Sequence, residues 1–246
     1  MRKWLFIFLF LLNPFTISAC LADGIKVSTL HQGDAEYQDV SDEFKREGVV
    51  TKIISADTPG GQYYFVFLEQ RLKKTVHAGD ETTLYGLKRN GEWGEIRKTK
   101  NDDNTDIVKN IRAYVLLADH GGYVQKQKFQ DFGNEVYWPD FIYPDCFIMD
   151  ADGDGEPEFY LTYFADSDGL DPKPLKVIVY NSHQQTDGKF QKSKATAFYP
   201  AGNEDDVYHV GYDESWLALP AAIKKTADGI IKKHSDNEPV LLDENK

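Results

Sequence analysis

The segment Asp150-Ala-Asp-Gly-Asp-Gly-Glu-Pro-Glu158 sets carboxylates at relative positions 1, 3, 5 and 9 of one short loop, with glycine at position 6. Alternate residues of a tight loop can turn their side chains inward onto a single hard cation. The carbonyl of Glu156, at position 7, can add a further oxygen, and Gly155 permits the sharp turn that such a loop needs. An oxygen set of this kind suits calcium, which takes about six to eight oxygens at roughly 2.3–2.6 Å. It does not suit zinc, which prefers nitrogen and sulfur. The expected metal ligands are therefore Asp150, Asp152, Asp154, Glu156 and Glu158, and the expected ion is calcium. A plain Asp-Gly turn needs only one or two such residues. Packed together without a cation, spaced acids of this number repel one another.

The flanking residues separate this loop from an EF-hand. An EF-hand needs a bidentate Glu at position 12 and a helix on each side. Position 12 here is Leu161, and Phe159-Tyr-Leu-Thr-Tyr-Phe164 is aromatic and strand-prone, as is Phe147-Ile-Met149. A calcium loop between two strands, closed by an acid at position 9, resembles the loops of integrin-type FG-GAP repeats. That resemblance implies a structural ion.

Motifs for catalysis are missing from the sequence. The 6 histidines form no HxH, HxxxH or HExxH pattern, and neither a GxSxG elbow nor a GxxxxGK phosphate loop occurs. Glu204, Asp205, Asp206, Asp213 and Glu214 flank Tyr208, Tyr212 and Trp216. Acids beside aromatics can form a sugar site; a charged loop leading to a helix cap is the simpler reading. Asp166-Ser-Asp-Gly-Leu-Asp171 can be read as a second ion site or as a turn. No catalytic residue is assigned, and binding is expected in preference to catalysis.

The elements that position the loop are mostly strands. Asn90-Gly91, Gly121-Gly122 and Asp187-Gly188 lie between alternating apolar runs, a strong hairpin cue. The chain is expected to be mostly β, a meander of antiparallel hairpins folded as a sandwich or a partial propeller-like stack, with one C-terminal α-helix. That helix is read from Leu219, Ile223, Ala227, Ile230 and His234, one stripe at helical spacing set against Lys224, Lys225, Lys232 and Lys233. Residues 23–47 are polar and poorly patterned, which predicts a tether with a short helix near Ser41–Arg46. A calcium-binding β domain is expected over 48–235, and a mobile tail over 236–246.

Residues 1–22 read as a secretory signal: Arg2 and Lys3, a short apolar core from Trp4 to Leu12, then small residues. The apolar run is shorter than the roughly 20 residues a permanent span needs. Ile17-Ser-Ala-Cys20 resembles a bacterial lipobox, which implies lipidation of Cys20. Leu21 after the cysteine implies sorting to the outer membrane, so the expected location is the periplasm, on an outer-membrane lipid anchor. Cleavage after Ala22 is the alternative and would leave a soluble periplasmic protein. Cys146, in an apolar strand context, is read as a buried inert thiol. The net charge is −12. Such a surface repels phosphates and argues against nucleic acid as a partner. It leaves a glycan or a cationic protein as possible partners.

From about Ile111 to His234 the order of features is similar to a family of exported bacterial proteins labelled surface polysaccharide biosynthesis proteins. The matching pieces are Ala113-Tyr-Val-Leu116, Gln130-Asp131-Phe132, the acidic loop, Leu175-Lys-Val-Ile-Val-Tyr180 and the terminal helix. The resemblance covers about half the chain and implies export and calcium more than chemistry. Two alternatives to an envelope binding protein stay open: an acidic immunity or inhibitor protein against a secreted toxin or lytic enzyme, and a glycan-active envelope enzyme.

Overall fold

A computed structural model describes residues 24–77, 81–87, 93–100, 104–168, 170–186, 188–201 and 207–235. The strands are β1 (Lys26–Leu30), β2 (Val49–Thr58), β3 (Gly61–His77), β4 (Glu81–Leu87), β5 (Trp93–Lys100), β6 (Asn104–Asp119), β7 (Gly122–Phe132), β8 (Tyr137–Phe141), β9 (Phe147–Met149), β10 (Glu158–Ser167), β11 (Lys173–Thr186), β12 (Lys189–Tyr199) and β13 (His209–Tyr212). The helices are α1 (Ala35–Asp42), α2 (Glu214–Leu217) and α3 (Ala221–Ser235). Every pairing is antiparallel. One sheet has the order β1-β2-β3-β6-β7, the other β13-β12-β11-β10-β8 with β9 also on β10, and β4-β5 is a separate ribbon. The chain is thus mostly β, as its turn signals and aromatic runs predict, and among the described residues no barrel closes.

The two sheets face each other as a sandwich with a helix on each outer face. β3 shows why. Tyr63, Phe65 and Phe67 point into the core between the sheets, while Tyr64, Val66 and Leu68 point outward against Tyr37, Val40 and Phe44 on and just after α1. Both faces of the strand are buried, so its sequence is a continuous apolar run and not an alternation. β10 and β11 behave alike. Phe159, Leu161, Tyr163, Ile178 and Tyr180 fill the space between the sheets, and Tyr160, Phe164, Leu175, Val177 and Val179 pack under α2 and α3. The sheets are also tied by Lys52 of β2, whose Nζ donates to the carbonyls of Tyr143 and Cys146 at 3.0 Å each.

The C-terminal helix falls where its stripe predicts. Ile223, Ala227, Ile230 and His234 are buried within α3, and Leu219 is buried just before it. Residues 23–47 differ from the expected tether. β1 pairs with β2 from Lys26↔Asp57 to Leu30↔Ile53, and α1 lies about six residues ahead of the helix read near Ser41. Tyr37, Val40 and Phe44 form a short helical stripe with 5% exposure or less, and Tyr37 Oη donates to the Val50 carbonyl at 3.0 Å. The polar residues between them mask that stripe in the sequence. The expected signal (1–22) and tail (236–246) lie outside the described residues, as do the turn residues Asn90, Gly91 and Asp187; the strands on either side of those turns pair as Leu87↔Trp93 and Thr186↔Lys189.

Candidate metal centre

The acidic loop runs from the end of β9 to the first residue of β10, two neighbouring antiparallel strands with Glu158↔Met149 in register. Its path is fixed by Asp150. The carboxylate of Asp150 accepts backbone N–H bonds from Gly153 (2.7 Å), Asp154 (3.1 Å) and Gly155 (3.0 Å). Asp154 Oδ1 accepts from the N–H of Glu156 at 2.8 Å, and Glu158 Oε2 accepts from the N–H of Ala151 at 2.7 Å. Gly153 (φ 77°) and Gly155 (φ 86°) take left-handed backbone that side chains disfavour. The acids therefore fold the loop around themselves and converge.

The structure brings Asp150, Asp152 and Asp154 together, with one carboxylate oxygen of each within 4.8 Å of the others. A second set, sharing Asp152, is Asp152, Glu158 and His183, again within 4.8 Å. Glu158 is the floor of the site at 1% exposure. Burial, opposed by the Ala151 N–H and reinforced by Asp152, Asp154 and Asp150, pushes its carboxyl up to about 8. Among the described residues no lysine or arginine pairs with any of these acids. Asp152 Oδ1 is buried and receives no hydrogen bond from the protein. Convergent carboxylates, one buried and one with an orphaned oxygen, make a donor set that fits a divalent cation.

Glu156 stands apart from both sets. Its carboxylate lies against the β2–β3 turn, where a Cβ on Gly60 would sit 3.2 Å from Oε1, and its charge helps burial raise the Tyr63 hydroxyl. Only its carbonyl is in question as a ligand, as the loop spacing predicts.

His183 is the residue that motif reading misses. Its Nε2 lies 2.7 Å from Asp152 Oδ2 and 3.5 Å from Asp154 Oδ2. β11 pairs with β10 up to Phe159↔Tyr180, then runs on past the loop, which carries His183 over the acids. The signal lay in strand pairing: extending the hairpin one step places Asn181 beside Glu158, and His183 follows two residues later.

Of the other candidates, Asp213 and Trp216 have structural roles, while Tyr212 stays exposed. Asp213 caps α2, with Oδ1 accepting from the Trp216 N–H (2.8 Å) and Oδ2 from the Lys194 N–H (2.9 Å). Trp216 is fully buried, and its Nε1 donates to Asp228 at 3.1 Å. Neither is free to form a sugar platform, and Glu204, Asp205 and Asp206 lie outside the described residues. Asp166 accepts from the Ser167 N–H at 2.7 Å and sits 3.7 Å from Lys173 Nζ, which favours the turn over a second ion site. Cys146 is 1% exposed, and burial pushes its thiol up to about 12. Among the described residues no helix is long and apolar enough to cross a membrane. No protein-family model, curated protein or solved structure matches the chain.

Proposed function

We propose that the protein is an exported, lipid-anchored component of the bacterial cell envelope that holds calcium in the 150–158 loop as a structural ion and acts by binding a partner. The observation that carries the calcium reading is Glu158, buried at 1% exposure among three further carboxylates with no lysine or arginine paired to any of them in the described residues. A cation there would convert mutual repulsion into ligation. Asp150, Asp152, Asp154, Glu158 and the Glu156 carbonyl would hold it, and the ion would supply charge neutralisation and a fixed loop. The leader features around Arg2, Lys3 and Cys20 support export and an outer-membrane anchor on the periplasmic side. The resemblance over 111–234 supports a setting among surface polysaccharides.

His183 makes the choice of ion testable. An imidazole nitrogen favours zinc or another transition metal, whereas calcium takes oxygen. Titration calorimetry of the native protein, Asp152→Ala and His183→Ala, each with calcium and with zinc, separates the two. The expected result is calcium binding that Asp152→Ala abolishes and His183→Ala leaves near the native value. Zinc binding without calcium binding, lost in His183→Ala, would overturn the calcium reading.

A further inference from the structure

On a chain of net charge −12, β11 and β12 bring three lysines together. The pairs Tyr180↔Lys192, Ile178↔Lys194 and Lys176↔Thr196 put Lys176, Lys192 and Lys194 on the face that enters the space between the sheets, because Tyr180 and Ile178 belong to that core. At the start of this row Phe190 is buried against Tyr63 and Phe159. Two residues on, Lys192 is exposed and Lys194 is half-buried, so the facing sheet no longer covers the row. Lys192 and Lys194 are separated by roughly 7 Å along the strand. Lys176 is the diagonal neighbour of Lys194 on the adjoining strand.

Lys176 has partners: its Nζ lies 3.6 Å from Asp131 Oδ2 and donates to Tyr137 Oη at 3.4 Å. The ammonium groups of Lys192 and Lys194 make no ion pair or hydrogen bond among the described residues. Asp213 is the other acid nearby, and its two oxygens accept the N–H groups of Trp216 and Lys194. Partial desolvation lowers the Lys192 ammonium from its ordinary range, and Lys194 and Lys176 lower it further against Asp213 and Asp131. Lysines on an open flank also guard a sheet against edge-to-edge association. That role needs no adjoining like charges, which destabilise a sheet. An anion set between Lys192 and Lys194 turns their repulsion into binding.

The rest of the row narrows the kind of anion. Beyond Lys194 the same face carries Phe198, which stacks on His209 of β13 with ring centroids 4.8 Å apart and planes at 17°. His209 is exposed, so the pair offers a flat aromatic surface suited to the C–H face of a sugar ring. From Lys192 to Phe198 the row is about 20 Å long, a length that suits an extended chain and not a single small ion. Spaced cations beside an aromatic platform match a sugar chain that bears carboxylates at intervals. Nucleic acid, with a charge on every nucleotide, is disfavoured by the overall charge of −12. At physiological salt distant charges are screened beyond about 8 Å, so the local lysines govern a sparsely charged chain.

We infer that this face of β11, β12 and β13 binds an acidic polysaccharide, with Lys192 and Lys194 on its carboxylates and the Phe198–His209 stack under a sugar ring. The inference rests on the binding reading above and names the ligand class for it. The test is titration calorimetry of the exported protein with hyaluronan and polysialic acid oligosaccharides as probes, dextran as the neutral control and phosphatidylglycerol vesicles as an anionic membrane. The expected result is saturable binding to at least one acidic oligosaccharide, weakened by salt, and none to dextran. Lys192→Gln combined with Lys194→Gln is expected to weaken that binding about tenfold with the melting temperature unchanged or higher, because it removes adjoining like charges. Lys192→Arg combined with Lys194→Arg should retain it. Absence of binding to both acidic oligosaccharides, or binding that the glutamine variant leaves intact, would overturn the inference. Vesicle binding without oligosaccharide binding would also overturn it, in favour of a lipid surface. Calcium affinity measured on the same samples keeps the two ideas apart: intact calcium binding without glycan binding removes only the glycan site, and glycan binding without calcium binding removes only the ion.

Discussion

Glu158 is 1% exposed, and its carboxyl is raised from an ordinary value of 4.5 to about 8 in the metal-free fold. The consequence for stability has a definite sign. Between these values the unfolded chain has released the proton while the folded chain still holds it, so the folded state binds more protons. The stability tied to Glu158 is complete below pH 4.5 and is lost as pH rises through about 8. Denaturant unfolding of the chelated protein across that window is expected to show this fall. Saturating calcium should remove it, because a bound cation favours the ionised carboxylate, and Glu158→Gln should flatten it without calcium. A flat profile in the chelated native protein would show that Glu158 is ionised at no cost. The spacing of the acids was legible because relative positions along one loop decide which side chains converge. His183 was not, because its place depends on how far β11 runs past its hairpin partner, which is a property of the pairing and not of any local motif.

At the scale of elements, α3 is held at its C-terminal end by a compact polar lock. Asp145, in a 3-10 turn at Tyr143–Asp145, is 5% exposed and accepts from Lys233 Nζ and His234 Nε2, both at 2.7 Å. Lys233 is half-exposed and can rehydrate, but truncating Asp145 leaves the buried His234 ring nitrogen without its partner, at a cost of about 2 kcal/mol. Asp145→Ala is therefore expected to lower the unfolding free energy by that amount, seen as a lower denaturant midpoint at an unchanged m-value. A loss under about 1 kcal/mol would place the contact among exposed pairs of little weight. The apolar stripe of α3 was legible because Ile223, Ala227 and Ile230 repeat at helical spacing among lysines. α1 was not, because Tyr37, Val40 and Phe44 offer only three anchors among polar residues. The strands around the loop were legible from aromatic content and turn residues. Which faces they bury was not, since β3 and β10 are covered on both sides and their sequences lose the alternation that marks an inside. The sandwich arises from that double burial, a nonlocal fact that hairpin signals leave open.

At the scale of the whole molecule, the proposed removal of Arg2 and Lys3 with a leader would take the net charge from −12 to −14. Mass spectrometry of the native N-terminus is expected to find acylated Cys20; a chain beginning at Asp23 would replace the anchor with a soluble periplasmic form. The acidic loop also joins the two halves of the sandwich. It connects strands of one sheet, yet a Cβ on Gly155 would lie 3.9 Å from Pro59, and the Glu156 carboxylate meets Gly60, both on the turn between β2 and β3 of the other sheet. A cation that draws Asp150, Asp152, Asp154 and Glu158 together would fix this junction and resist separation of the sheets. Calcium at a hundredfold excess over its dissociation constant adds about 2.7 kcal/mol. For a domain of this size each kcal/mol moves the melting temperature by about 2–4 °C, so chelation is expected to lower it by about 5–10 °C. The shift should appear in a single cooperative transition, because Phe65, Phe67, Phe159 and Leu161 form one core shared by both sheets, and separating the sheets would expose it. Asp152→Ala should abolish the calcium response. A native melting curve indifferent to chelator would show that the loop is held by its own hydrogen bonds to Asp150, Asp154 and Glu158, without an ion.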